Sequence, residues 1–298
     1  MSRATTAAVP PPATPVRIIK GIVLFGACLL VLVPFLGIVS TSLASREAVT
    51  GAGGFLLIPD GVHWDAYTAV LSGGVVTRAL MVSIGVTLVG TAVSLAFTSM
   101  LAYTLSARTG TFGQRPMLML VLLALLFGPG MIPSYLVVRE LGLTDNYLAL
   151  ILPGAVAAFN VIIVRSFFLG LPAELLDSAR IDGASEFTIF RKIVLPLSKA
   201  ALAVIGLFYA VGYWNSFFNA LLYINDNAMW PLQLVLRSYV VDGASLGSGE
   251  LSSMGDVFPP QQSIQMAILV ISIVPILIVY PFLQKHFAKG VLTGAVKG

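Results

Sequence analysis

Charge is what this sequence has least of. Of its 298 residues only 10% are Asp, Glu, Lys or Arg, while 57% are hydrophobic and the mean hydropathy is +0.95. A soluble domain carries roughly 25% charged residues, so the deficit excludes an ordinary soluble globule and predicts a polytopic membrane protein. Cysteine is nearly absent. The one present, Cys28, lies inside an apolar run, which excludes a disulfide framework or a multi-cysteine metal centre and leaves a small buried or lipid-facing residue. No Gly-Lys-Ser or Gly-Lys-Thr occurs, so the chain has no Walker A phosphate cradle. The glycine-rich pieces at 51–54 and 243–249 lack the strand and helix that a dinucleotide fingerprint needs. His63 and His286 stand far apart in the sequence, which excludes a zincin pair. Catalysis by this chain is not expected.

What the chain has instead is uncharged runs, six of them, at 21–45, 79–107, 116–138, 146–164, 200–225 and 257–284. A helix needs about 20 apolar residues to cross a hydrocarbon core, so six transmembrane helices are expected. Residues 42–45 faintly resemble a signal cleavage site, but the first run is longer than the about 7–15 residues of a signal h-region and reads as a span. Pro34, Pro129, Pro133, Pro153 and Pro275 fall inside the runs, where membrane helices tolerate kinks. None of the runs holds an Asp, Glu, Lys, Arg or His. An ion-coupled pump needs such groups within the bilayer, so the driving energy is expected to enter from outside the membrane. No internal repeat or heptad seam is evident.

With the N-terminus inside, thirteen of the 17 Lys and Arg residues fall in the cytoplasm and Arg46, Arg78, Arg139 and Arg237 outside. The positive-inside rule selects that orientation, with both termini cytoplasmic. Most of the net charge of +4 is then topology, and no nucleic-acid partner is expected beside the membrane lipids. Residues 1–15, rich in Ala, Thr and Pro, are expected to form a disordered cytoplasmic tail. The segment 226–262, with a Gly/Ser-rich acidic piece at 248–258, falls outside.

One cytoplasmic stretch does not behave like its surroundings. Residues 174–196, ELLDSARIDGASEFTIFRKIVLP, are densely charged between two apolar runs. Leu175 with Ala179, then Phe187 with Phe190 and Val194, recur at helical spacing, and Gly183 interrupts the pattern, so two short amphipathic helices with a bend at Gly183 are predicted. Ala179 and Gly183, four apart, would leave one side of the bend nearly bare for another protein's surface.

Asp177-Ser178-Ala179-Arg180-Ile181-Asp182-Gly183-Ala184, followed by Phe190, Ile193, Leu195 and Pro196, resembles the EAA loop of binding-protein-dependent ABC importer permeases. Asp177 stands where that pattern has Glu, and Ser178 where it has Ala. Further segments look like the carbohydrate-importer permeases: Ile132-Pro133-Ser134-Tyr135-Leu136, the run 149–154, Tyr213-Trp214-Asn215-Ser216-Phe217-Phe218-Asn219, and the ending from Tyr280-Pro281 to Gly298. The likeness is to their second permease subunit, in the branch related to the LplC and alginate-oligosaccharide proteins. It implies an all-α type I importer fold over residues 16–298 in the cytoplasmic membrane of a prokaryote. The chain would import a sugar or oligosaccharide by alternating access. Implied partners are a homologous second permease, two copies of a cytoplasmic ATPase that binds ATP and Mg, and an extracytoplasmic sugar-binding protein; no cofactor is implied for this chain. The loop 172–198 would be the coupling element, with Asp177, Ser178, Ala179, Asp182, Gly183, Ala184, Phe187, Phe190, Ile193, Leu195 and Pro196 at the ATPase contact. The C-terminal segment 289–298 would run along the ATPase dimer; being rich in Gly, it is expected to be disordered when free.

Tyr213, Trp214, Asn215, Phe218 and Asn219 are candidates for the sugar path, because aromatic faces and amides hold sugars. The same cluster also fits an interfacial aromatic belt or packing. A permease for another solute, and a non-transporting membrane scaffold, remain as alternatives.

Overall fold

The computed structural model describes residues 14–72, 74–107, 112–243 and 259–295, with 282–295 as backbone alone. Of the expected disordered tail only Thr14 and Pro15 are among these, and they open the first helix; the acidic piece 248–258 lies outside them. Regular structure among the described residues is entirely helical. The chain divides into two compact units, Met1–Ala69 with Gly247–Val270, and Val70–Leu246 with Ile271–Gly298.

The first unit is built on α1 (Thr14–Leu43), followed by the short α2 (Arg46–Gly51) and the opening of α3 (Asp65–Leu71). Most of α1 is exposed apolar surface, Cys28 included, and burial begins only near its end, at Gly37 and from Ser40 to Ser42. There the segment Phe55–Leu57 folds back. Ser40 Oγ donates to Leu57 O (2.8 Å) and Leu56 N to Thr41 Oγ1 (2.9 Å). The Phe55 ring fills the space beside Gly37, where a Cβ would fall 1.9 Å from it. Asp60 accepts from both the backbone N–H and the hydroxyl of Ser45, the N-cap of α2, and these bonds hold its carboxyl below the usual carboxylate range.

The second unit is organised around α4 (Val75–Ser106). It packs on α8 (Ala158–Leu169) and α12 (Lys199–Trp214). Its buried residues Val76, Ala79, Ser83, Val86, Gly90, Ser94, Thr98, Ala102 and Leu105 follow one another at steps of three and four, with Ser99 buried next to Thr98, a stripe of mostly small side chains. Lipid is as apolar as Leu, so helices in a membrane gain little by hiding large apolar groups from it and associate through close approach and hydrogen bonds. Both occur here. Gly90 lies against the Tyr213 ring, and the hydroxyls of Ser94 and Thr98 bond those of Tyr213 (2.8 Å) and Tyr209 (2.6 Å). The two tyrosines also reach backbone: Tyr213 donates to Ile151 O (3.0 Å), and Tyr209 accepts from Ala157 N (3.0 Å). The seam of α4 is not a heptad repeat but a line of small and hydroxyl-bearing residues, which a search for apolar repeats passes over.

Three described helices are long and apolar enough to cross a membrane alone: Thr14–Leu43, Val75–Ser106 and Gln261–Pro281, the last within α15 (Gln261–Ala295). Two bent pairs raise the number to five at most by length and composition. One joins Tyr147–Gly154, which holds α7 (Tyr147–Ile151), to α8 with a bend of 51°; the other joins Glu186–Leu197 to α12 with a bend of 84°. The expected third span, 116–138, is not one helix. It breaks into α5 (Gln114–Leu126) and α6 (Met131–Glu140), because Pro129 lacks an N–H and Gly130 takes φ +76°. Outside the spans, Asp145 accepts from Asn225 N, Asn225 Nδ2 and Asp226 N, joining the turn before α7 to the end of α13 (Phe217–Tyr223).

The C-terminal segment departs from expectation. Residues 289–295 continue α15 rather than forming a disordered tail. Gly290 and Gly294 each cost about 1 kcal/mol against Ala, but a helix already nucleated adds one hydrogen bond for each further residue fixed.

Candidate functional site

The stretch between α8 and α12 folds as two helices about Gly183. Helix α9 (Ala173–Ile181) leads in, and α10 (Glu186–Ile189) leads out into a wide π turn at Phe190–Val194 and a last short turn, α11 (Leu195–Leu197). The reversal is a Schellman motif. Gly183 N donates to Arg180 O (3.0 Å) and Ala184 N to Ala179 O (3.0 Å), with Gly183 at φ +79°. That left-handed position closes the carbonyl end of α9 and is open to glycine at no steric cost. Ser185 restarts the chain by capping α10, accepting from Thr188 N (3.3 Å). Leu195 N reaches back five residues to Phe190 O, and the chain turns sharply at buried Ser198.

The loop sorts its side chains into two sets. Leu176, Ala179, Ala184, Ile193 and Leu195 pack against the core, with Ile189, Phe190 and Val194 buried in it. Ile181 (86% exposed), Phe187 (66%) and Leu175 (48%) project away. Leu175 and Ile181 lie on the arm before Gly183 and Phe187 on the arm after it, and large exposed apolar side chains in a charged loop are candidates for an interaction surface.

A chain of charges holds the two arms together across Gly183. Arg180 Nη1 donates to Asp177 Oδ1 (3.0 Å) and Arg180 Nε to Glu186 Oε1 (2.9 Å). The second Glu186 oxygen accepts from the hydroxyl of Tyr103, near the end of α4. The Arg180 bonds, then that of Tyr103, hold the Glu186 carboxyl below the usual carboxylate range. The Tyr103 and Phe190 rings meet at 5.1 Å between centroids.

The expectations for this loop are met in its two helices and in the bend at Gly183, and are corrected in its faces. Ala179 does not share a bare side with Gly183; it is half-buried against the chain's own core, while Gly183 is exposed. Phe187 does not line up with Phe190 and Val194, because the buried face of α10 is centred on Ile189 and Phe190 and turns Phe187 outward. Arg180 pairs with Asp177 and Glu186, and Asp182 and Ser178 are exposed. Pro196 is exposed in α11. Four residues that the motif does not single out emerge: Ile181 by exposure, and Arg180, Glu186 and Tyr103 by their bonds. Ile181 had a legible signal, an apolar residue off the apolar face of its helix. Tyr103, 83 residues before Glu186, had none.

The five candidates of the fifth apolar run separate as well. Tyr213 and Trp214 are buried, the first in the hydroxyl network of α4, the second donating from Nε1 to Ser272 O (3.0 Å). Asn215 and Phe218 are exposed, with Asn219 half-buried, and Asn215 Nδ2 donates to Val211 O (2.9 Å).

Comparison with known proteins agrees over most of the chain. Residues 116–293 match the family described as binding-protein-dependent transport system inner membrane component. The chain is 48% identical over 282 residues to the polygalacturonan/rhamnogalacturonan transport system permease protein YtcP of Bacillus subtilis (strain 168), covering 94% of this chain and 97% of that one. It is 50% identical over 273 residues to Protein LplC of the same organism, covering 92% of each. Among solved structures, it is similar to a chain of a bacterial ABC transporter involved in the import of the acidic polysaccharide alginate, with a TM-score of 0.84 at 32% identity, covering 94% of this chain and 100% of that one. The chain therefore belongs to the binding-protein-dependent transport system inner membrane components, a family of multi-pass ABC transport subunits.

Proposed function

We propose that this chain is a permease subunit of an ATP-driven importer that moves a sugar or oligosaccharide across the cytoplasmic membrane by alternating access. It acts with a homologous second permease, two copies of a cytoplasmic ATPase that binds ATP and Mg, and an extracytoplasmic sugar-binding protein. The polysaccharide substrates in the names of its relatives support the solute class. The basic-residue asymmetry supports six spans with both termini in the cytoplasm; the third span is then the broken pair α5 and α6.

The observation that carries the reading is the loop at Gly183. It closes on itself through backbone bonds, is tied by charges, and turns Leu175, Ile181 and Phe187 away from its own core. Such a rigid apolar tip can seat in a cleft of the ATPase and transmit both push and pull. On the sugar side, Asn215 and Phe218 are the path candidates favoured by exposure. Tyr213 and Trp214 are better read as packing that holds them.

The test is copurification of the ATPase with the permease pair. Ile181→Asp or Phe187→Asp should reduce ATPase recovery about thirtyfold, the effect of an interface hot spot, without disturbing membrane insertion. Undiminished recovery in both variants would remove the loop from the ATPase contact.

A further inference from the structure

Glu186 joins groups from two different parts of the fold. One oxygen takes Arg180 Nε, from the helix before the Gly183 turn, and the other takes the hydroxyl of Tyr103, three residues before the end of α4. Arg180 also holds Asp177, so a continuous series of polar contacts runs Asp177, Arg180, Glu186, Tyr103. The end of α4 is itself secured. Leu105 O accepts from Gln114 Nε2 and Arg165 Nε, both at 2.9 Å, and Ala107 O accepts from Gln114 Nε2 at 2.8 Å. Further along α4, Thr98 and Ser94 bond Tyr209 and Tyr213, which reach the backbone between α7 and α8. The loop is thus fastened to α4, which packs on both α8 and α12.

The energetics argue that this fastening serves something other than stability. The Glu186 side chain is 61% exposed and that of Asp177 63%, and ion pairs so open to water contribute little to folding. Their value is geometric. A carboxylate gripped from two sides fixes the loop's angle to α4 in a way that apolar contact, which can slide, does not.

We propose that Tyr103 and Glu186 are positioning residues that convert displacement of the Gly183 loop into displacement of α4. This rests on the reading of that loop as the ATPase contact. Packing cannot supply the link alone: the Tyr103 and Phe190 rings touch, but ring contact tolerates sliding.

Tyr103→Phe is the informative variant, because it keeps the ring and removes only the hydroxyl; Glu186→Gln keeps shape and removes charge. The experiment uses the complete transporter in lipid nanodiscs, with Cys28→Ser, one spin label at exposed Leu88 of α4 and a second on the other permease. The distance between labels is measured with and without a non-hydrolysable ATP analogue. The wild-type background should show a shift on adding nucleotide, and both variants should lose it while the ATPase still copurifies at the wild-type level. A full shift in Tyr103→Phe overturns the proposal, as does the absence of any shift in the wild-type background. Loss of the ATPase from the complex also overturns it, since the pair would then only shape the docking face. Failure of the underlying reading would look different: Ile181→Asp and Phe187→Asp would both leave the ATPase bound.

Discussion

The Gly183 loop and the seam of α4 use opposite chemistry for the same purpose, holding two elements in one geometry. In the loop, charged groups tie one arm to the other and large apolar side chains face out. Along α4, small residues and hydroxyls face in and large apolar side chains, such as Met81, Leu88 and Phe97, face out. The exposed apolar residues thus carry opposite meanings. On α4, a helix long and apolar enough to cross a membrane, they suit lipid and say nothing about partners; at Ile181 and Phe187, in a charged loop, they are what the proposed ATPase contact would cover. Conversely, a Ser or Gly in a cytoplasmic turn is commonplace, whereas Ser94 and Gly90 within α4 decide how closely Tyr213 approaches.

The comparison breaks most severely at Gly90. A Cβ there would meet the Tyr213 ring at 2.8 Å, and that ring is pinned through its hydroxyl to Ser94 and Ile151 O. Gly90→Val should cost about 3 kcal/mol, at the upper end for overpacking, read as a lower melting temperature of the purified complex. Gly206→Ala is the control. The nearest atom to its Cβ would be Leu95 Cδ1, at 2.9 Å, the far end of a flexible side chain, so the cost should stay within about 1 kcal/mol. Equal losses in the two variants would show that the hydroxyl network does not hold the Tyr213 ring in place.

In the loop, Gly183 sharpens the contrast, because among the described residues no atom beyond its two chain neighbours lies within 4 Å of a Cβ built there, and the left-handed φ is the constraint that remains. Gly183→Val should cost about 1–3 kcal/mol of local strain and lower ATPase copurification. Gly183→Asn, a residue that tolerates this region, should cost less. If Asn proved as damaging as Val, the glycine would be required for close approach of a partner and not for its backbone angle.

The smallest effect is electrostatic. The folded-state pKa of Glu186 lies below its ordinary 4.5, first through Arg180 and then through Tyr103. Its contribution to holding the loop is therefore full above the unfolded value and is lost as pH falls through the folded one. At this exposure it amounts to less than about 1 kcal/mol. Limited proteolysis at the loop should be unchanged between pH 6 and 8 and increase in acid below about pH 4; Glu186→Gln should remove the acid dependence.

By itself the sequence determined the class of molecule and the place of the charged reversal at Gly183 that is proposed as its coupling element. Uncharged runs of some 20 residues have few fates other than the bilayer, and a Gly between two charged amphipathic stretches dictates a reversal wherever it occurs, so both were legible without neighbours. The break between α5 and α6 is legible only afterwards: Pro129 and Gly130 permit it, but membrane helices commonly absorb such residues. Tertiary structure alone decided which faces of the loop turn inward, since the helical spacing of Phe187, Phe190 and Val194 holds equally for a face toward the core or toward a partner. It also decided that Arg180 pairs with Asp177 and Glu186, that Trp214 is tied to Ser272 O, and that Tyr103 meets a carboxylate 83 residues away. Periodicity reports only on neighbours within a helix, whereas these contacts join residues whose proximity depends on how α4, α8 and α12 pack.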